Sequence, residues 1–241
     1  MSSTIYLTAA FKSVNQNHAY IFMKNEYVLE DYEPDTRNDT ILYGPYHISD
    51  VFSSLEDKIF ATNKGINCAF ASHDVEVAYI FSGNMCAKWF YAPDSSNDKI
   101  LEGPKPIVEM LPFFRGTLFE NGVDAAFESS RPYEAYLFKG KYYARINYSA
   151  NNGHLINLAL IGQFWPCLRG TTYENGFDAA FALHATNEAY LFKGEYYARM
   201  KFTPGATKDV LRWSGKIKES WPNLGSILPR NNNVNCKLVA N

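Results

Sequence analysis

Gly122-Val-Asp-Ala-Ala-Phe127, Glu134-Ala-Tyr-Leu-Phe-Lys-Gly140 and Tyr142-Tyr-Ala-Arg145 decide the fold. They recur almost letter for letter as Gly176-Phe-Asp-Ala-Ala-Phe181, Glu188-Ala-Tyr-Leu-Phe-Lys-Gly194 and Tyr196-Tyr-Ala-Arg199. Two more divergent copies precede them. One is Gly65-Ile-Asn-Cys-Ala-Phe70 with Val77-Ala-Tyr-Ile-Phe81; the other is Ile5-Tyr-Leu-Thr-Ala-Ala-Phe11 with His18-Ala-Tyr-Ile-Phe22. The closing phenylalanines stand at 11, 70, 127 and 181, so the spacings are 59, 57 and 54 residues and four units fill the chain.

Each unit has one grammar. An Ala-rich run ending in Phe, an Ala-Tyr-Leu/Ile-Phe run and a Tyr-Tyr-Ala-Arg run are aromatic, with Gly or Asn at the turns, which favours strands. A polar stretch follows that can supply a fourth, outer strand. An apolar segment of helical spacing closes the unit, as in Ile48, Val51, Phe52 and Leu55, or Ile217, Trp221 and Leu224. Repeats of this size with several strands indicate an all-β, four-bladed β-propeller with short helical turns at the blade ends. The expected blades are about 4–62, 63–120, 121–174 and 175–230, with a tail at 231–241. Small residues at Ala9-Ala10, Cys68-Ala69, Ala125-Ala126 and Ala179-Ala180 suit inner strands that crowd a narrow central channel.

Composition excludes several classes. Of 241 residues, 16% are aromatic and only 20% charged, so the chain can bury a large core and is not disordered. A net charge of −2 lacks the surplus of Lys and Arg that a nucleic-acid binder needs. No apolar run is long enough for a membrane helix. The N-terminal residues show no signal-peptide pattern, which points to a cytosolic protein. The sequons at Asn38 and Asn147 are then chance matches. Cys68, Cys86, Cys167 and Cys236 fit no zinc spacing and read as reduced, small apolar residues. Cys68 and Cys86 fall on strands one and three of a blade, roughly 9–10 Å apart, beyond disulfide reach. No nucleophile elbow, zinc-protease motif or phosphate loop occurs, so a non-enzymatic protein is expected. Turnover on a propeller scaffold is the weaker alternative.

The repeated Asp-Ala-Ala-Phe, Glu-Ala-Tyr-Leu-Phe-Lys-Gly and Tyr-Tyr-Ala-Arg resemble the hemopexin repeat. Leu191 to Arg199, Leu168-Arg-Gly-Thr171 and Phe119 to Phe127 are similar to the legume seed albumins called albumin-2, over nearly all of residues 4–230. That resemblance implies a seed-cytosol storage protein, with polyamine (spermine) or haem as ligand. It also implies a lectin-like haemagglutinin as the alternative, a glycan partner in that case, and a homodimer. The 21 asparagines are compatible with a nitrogen store. The resemblance implies ions along the channel as well. The carbonyls of Thr8, Asn67, Asp124 and Asp178 would hold a calcium-like cation, a role that suits backbone oxygens. Backbone groups at Ala10, Ala69, Ala126 and Ala180, expected to face the channel again, would hold a second ion, sodium or chloride.

Ligand candidates follow from residue chemistry. A polyamine needs carboxylates. Glu120 and Glu174 precede the inner strands, at one channel mouth; Glu134 and Glu188 begin the second strands, nearer the other. Solvated turn charges are the plainer account of all four. Haem needs an axial ligand. His73 and His184 each follow a landmark Phe by three residues and fall in equivalent hairpins of opposite blades. Exposed turn histidines are the plainer account of them.

Overall fold

The computed structural model describes residues 4–93 and 95–231. Four antiparallel four-stranded sheets follow in chain order, each a simple meander. The inner strands are Ala9–Lys12, Cys68–Ala71, Ala125–Glu128 and Ala179–Ala182. The second strands are His18–Met23, Val77–Ser82, Glu134–Lys139 and Glu188–Lys193. The third strands are Glu26–Asp31, Met85–Phe90, Tyr142–Asn147 and Tyr196–Lys201. The outer strands are Thr40–His47, Lys99–Pro106, His154–Leu160 and Val210–Lys216. Each inner strand packs against those of the two adjacent sheets, so the four blades close into a ring.

The second strands read apolar on both faces because both faces are covered. Four aromatic clusters fill the gaps between blades. Phe11 and Phe127 point forward, into the clusters shared by blades 1 and 2 and by blades 3 and 4. Phe70 and Phe181 do the same at the 2/3 and 4/1 boundaries. Side chains alternate along a strand, so the preceding residue points back. Ala10 packs toward blade 4, Ala69 toward blade 1, Ala126 toward blade 2 and Ala180 toward blade 3. This corrects the expectation that these alanines face the channel: their methyl groups lie between blades, and only backbone edges turn to the axis.

Ring closure draws on both ends of the described chain. Thr4–Ile5 pairs with Arg230–Asn231 as a separate two-stranded sheet, and Arg230 adds an ion pair to Glu26 at 2.6 Å. The chain start therefore fastens the last blade rather than lengthening the first inner strand. The rest of the expected tail, 232–241, lies outside the described residues, as does Cys236.

The short helices Ile48–Val51, Ile107–Met110, Ile161–Phe164 and Ile217–Ser220 each bury their first residue under the sheets. Aspartates staple three of these regions to a neighbouring blade. Asp39 accepts from the Asn223 and Leu224 N–H groups, Asp98 from the Ser54 N–H, and Asp209 from the Cys167 N–H. Gly176 sits at φ +98 against the preceding blade's turn, where a Cβ would lie 2.5 Å from the Gly140 oxygen; only glycine allows that approach. Cys68, Cys86 and Cys167 are free thiols. Phe81 lies opposite both Cys68 and Cys86, which puts a whole strand between the two.

Candidate functional site

Thr8, Asn67, Asp124 and Asp178 meet at one mouth of the channel, in a recess of about 450 Å³ that also takes in Lys24, Gly122 and Lys139. One side-chain oxygen of each binds the N–H of the residue sixteen further on, at the turn between strands two and three. The distances are 2.9 Å from Lys24, 2.8 Å from Gly83, and 2.7 Å from both Gly140 and Gly194. The repeated Asp, Asn or Thr is thus a turn-binding residue first. Among the described residues, no three His, Cys, Asp or Glu side chains converge as a metal cluster. An axial ion therefore depends on backbone. The chain supplies it: every inner strand is the edge of its sheet, and its unpaired side faces the axis. Buried edge carbonyls and N–H groups need partners, and hard cations or an anion are chemically suited to them.

The four predicted glutamates do not gather at a mouth. Glu120 accepts the Gly116 N–H at 2.7 Å and Glu174 the Gly170 N–H at 2.9 Å, each folding back over a short 3-10 turn. Thr117 and Thr171 cap those turns, so the Thr-x-x-Glu spacing is a variant of the capping box. Glu134 pairs with Arg145 and Glu188 with Arg199, both at 2.6 Å. The arginine pairings are those expected of strand-edge charges. The recess at the first mouth carries Lys24 and Lys139 beside Asp124 and Asp178, and the Lys139 ammonium donates to the Asn121 carbonyl at 3.3 Å, so among the described residues its charges are mixed.

His73 and His184 occupy equivalent hairpins, and each clamps its blade to the next. His184 Nδ1 lies 2.7 Å from the Tyr32 hydroxyl and accepts the Asn17 N–H at 3.2 Å; Nε2 lies 2.9 Å from the Ser13 carbonyl. His73 Nδ1 lies 2.8 Å from the Tyr148 hydroxyl and accepts the Tyr133 N–H at 3.3 Å. Burial lowers both pKa values, which keeps the rings neutral. Ligation of haem iron would first require this clamp to break.

At the far mouth the inner strands end in Lys12, Ala71, Glu128 and Ala182. Lys12 Nζ lies 2.9 Å from Glu128 Oε1. Nothing in the repeat grammar marked this pair, although two charges in a column of alanines were visible.

A cleft of about 690 Å³ opens between blades 4 and 1. Tyr32, Tyr190, Tyr197 and Trp221 floor it; Asp35, Arg37, Arg212 and Trp213 wall it. Arg199 bridges Glu188 and Asp35 across the boundary, and Asp39 is engaged by the Asn223 and Leu224 amides. The acids of the cleft are therefore taken. Arg37 and Arg212 have no carboxylate within ion-pair distance among the described residues, and Trp213 is 61% exposed. These residues lie in the polar stretches outside the repeat grammar, which gave no signal for them.

Comparisons with known proteins agree with this architecture. The Hemopexin family pattern matches residues 123–168 and 177–226. Albumin-2 of Pisum sativum is 48% identical over 233 residues, 96% of this chain and all of that protein. A plant lectin with two metal binding sites from Cicer arietinum is 52% identical, with a TM-score of 0.89 over 93% of this chain and 99% of its own. A plant albumin from Cicer arietinum showing hemagglutination is 51% identical, with the same TM-score and coverage.

Proposed function

The chain belongs to the albumin-2 family of plant albumins built on hemopexin repeats, and from that premise we propose that it is a storage albumin of the seed cytosol that also binds a saccharide. Its relatives are seed albumins and lectin-like proteins rather than enzymes. The cleft between blades 4 and 1 carries the reading. An exposed Trp213 offers a flat apolar face, and Arg37 and Arg212 offer donors with no acid within ion-pair distance among the described residues. Aromatic walls with a few convergent polar groups suit a small polar ligand. Agglutination needs two sites per particle, which a homodimer would supply. Backbone edges of the inner strands would hold calcium, sodium or chloride as structural ions on the axis, joining the four blades.

The test is binding to a glycan array and to erythrocytes, with Trp213→Ala beside the unaltered protein. Loss of at least tenfold in affinity with unchanged melting temperature supports the cleft. Equal binding by Trp213→Ala places the sugar elsewhere, and no binding by either removes the saccharide reading.

A second reading, polyamine binding, is favoured by the far-mouth recess, where Glu76 has no cationic side chain within ion-pair distance among the described residues. Spermine would then bind with an affinity that weakens as salt rises. A calorimetric titration with no heat, or with heat indifferent to salt, removes it.

A further inference from the structure

We propose that the ammonium of Lys12 is the channel's tethered cation, filling on Glu128 an axial site that would otherwise take a free primary ammonium, and sealing that mouth. Blades 1 and 3 stand on opposite sides of a four-bladed ring, so a contact between the ends of their inner strands crosses the axis. Lys12 Nζ and Glu128 Oε1 make that contact at 2.9 Å. Ala71 and Ala182 at the same level on blades 2 and 4 leave the room for it.

Glu128 is the unusual partner. Its side chain is only 5% exposed. Neither carboxylate oxygen has an aligned hydrogen bond, and the lysine approaches as a bare counter-charge. A buried carboxylate without donors is unfavourable by several kcal/mol unless a cation stands beside it. The groups that close around the pair do not provide one. His73 and His184 are neutral, and Tyr32, Tyr91 and Tyr148 carry phenols whose hydroxyls bind neighbouring chain. Lys12 supplies the charge, and its side chain remains 29% exposed at the floor of a recess of about 240 Å³. The carboxylate is therefore reachable from solvent once the lysine is shortened. With Lys12 in place this mouth is closed, so an ion bound on the axis would have to enter from the Thr8 mouth.

Chemical rescue tests this. Lys12→Ala should lower the melting temperature. Added n-propylammonium chloride should restore about 3 °C more than equal sodium chloride or tetramethylammonium chloride, since ligand bound only to the folded state raises the transition. The unaltered protein and Lys12→Ala/Glu128→Gln should show no such difference. Equal shifts in all three proteins, or none in Lys12→Ala, overturn the proposal. If Lys12→Ala does not fold, Lys12→Met and Lys12→Met/Glu128→Gln decide: the double variant should melt above the single one. A double variant no more stable than Lys12→Met overturns the proposal as well.

Discussion

Replacing Glu30 by Gln should stabilise this protein at neutral pH, by an amount that grows as the solution becomes more alkaline. Glu30 is fully buried on the third strand of blade 1, opposite Ile41. Trp89 holds the equivalent place in blade 2, opposite Ile100, and its indole N–H donates to Asp98 at 3.2 Å. Glu30 stands against Asp39 in the same way and must be protonated to act as a donor. Burial first, and then Asp39, push its pKa up to about 9. An acid whose folded pKa is raised contributes stability that is complete below its unfolded value near 4.5 and is lost as pH climbs toward 9. The loss is about 1.4 kcal/mol per pH unit, so roughly 3 kcal/mol has gone by pH 7. Gln keeps an N–H donor for Asp39 and cannot ionise. Urea unfolding of both proteins at pH 5.5, 6.5, 7.5 and 8.5 reads the difference directly, because every other titration is shared. The expected advantage of Glu30→Gln rises by about 1.4 kcal/mol per unit across that series. A difference that stays flat with pH, or a variant less stable throughout, refutes the reasoning.

Asp98→Ala should cost about 2–4 kcal/mol by urea unfolding, since it strands the buried Trp89 indole N–H and the Ser54 amide; a cost below about 1 kcal/mol would mean that water replaces the carboxylate. His184 behaves oppositely to Glu30. Its folded pKa is lowered, so the clamp's contribution is present above about 6.5 and fades as pH falls toward the folded value. His184→Gln should therefore flatten the acid side of the stability profile below about pH 6.5; a profile of unchanged slope would show that the ring titrates freely.

The propeller was legible because its repeats are long and its strands are apolar on both faces. Phe11, Phe70, Phe127 and Phe181 recur where each blade needs a large forward-pointing residue. The site was less legible, for a physical reason. A repeat marks what all blades share, namely packing and turn geometry. Glu120, Glu134, Glu174 and Glu188 recur for that cause, as turn caps and arginine partners. Residues with separate tasks stand as departures from the repeat. Lys12 and Glu128 in a column of alanines were such departures, and so was Glu30 in a column with Trp89, Ile146 and Met200. Trp213 and Arg37 could not be found this way, because the outer loops have no shared pattern to depart from.

The ring is also less symmetric than four repeats suggest. The column of His73 and His184 holds Val14 in blade 1 and Ser130 in blade 3. The partner column runs Tyr32, Tyr91, Tyr148 and Phe202. Histidine–tyrosine clamps therefore form at the 2/3 and 4/1 boundaries. At the 1/2 boundary the Tyr91 hydroxyl meets the Val14 amide and the Ser13 side chain rather than a histidine, and at 3/4 Phe202 has no hydroxyl at all. The two large clefts open at the clamped boundaries, lined in part by Tyr148 and by Tyr32. All four boundaries are filled by buried rings, with Trp89 at 1/2, Phe114 and Phe119 at 2/3, Trp165 at 3/4 and Trp221 at 4/1. The molecule thus has four packed boundaries, and two of them add a histidine–tyrosine clamp and an outer cleft. At those two boundaries a cleft opens beside the packed rings, and that is the room left for a ligand.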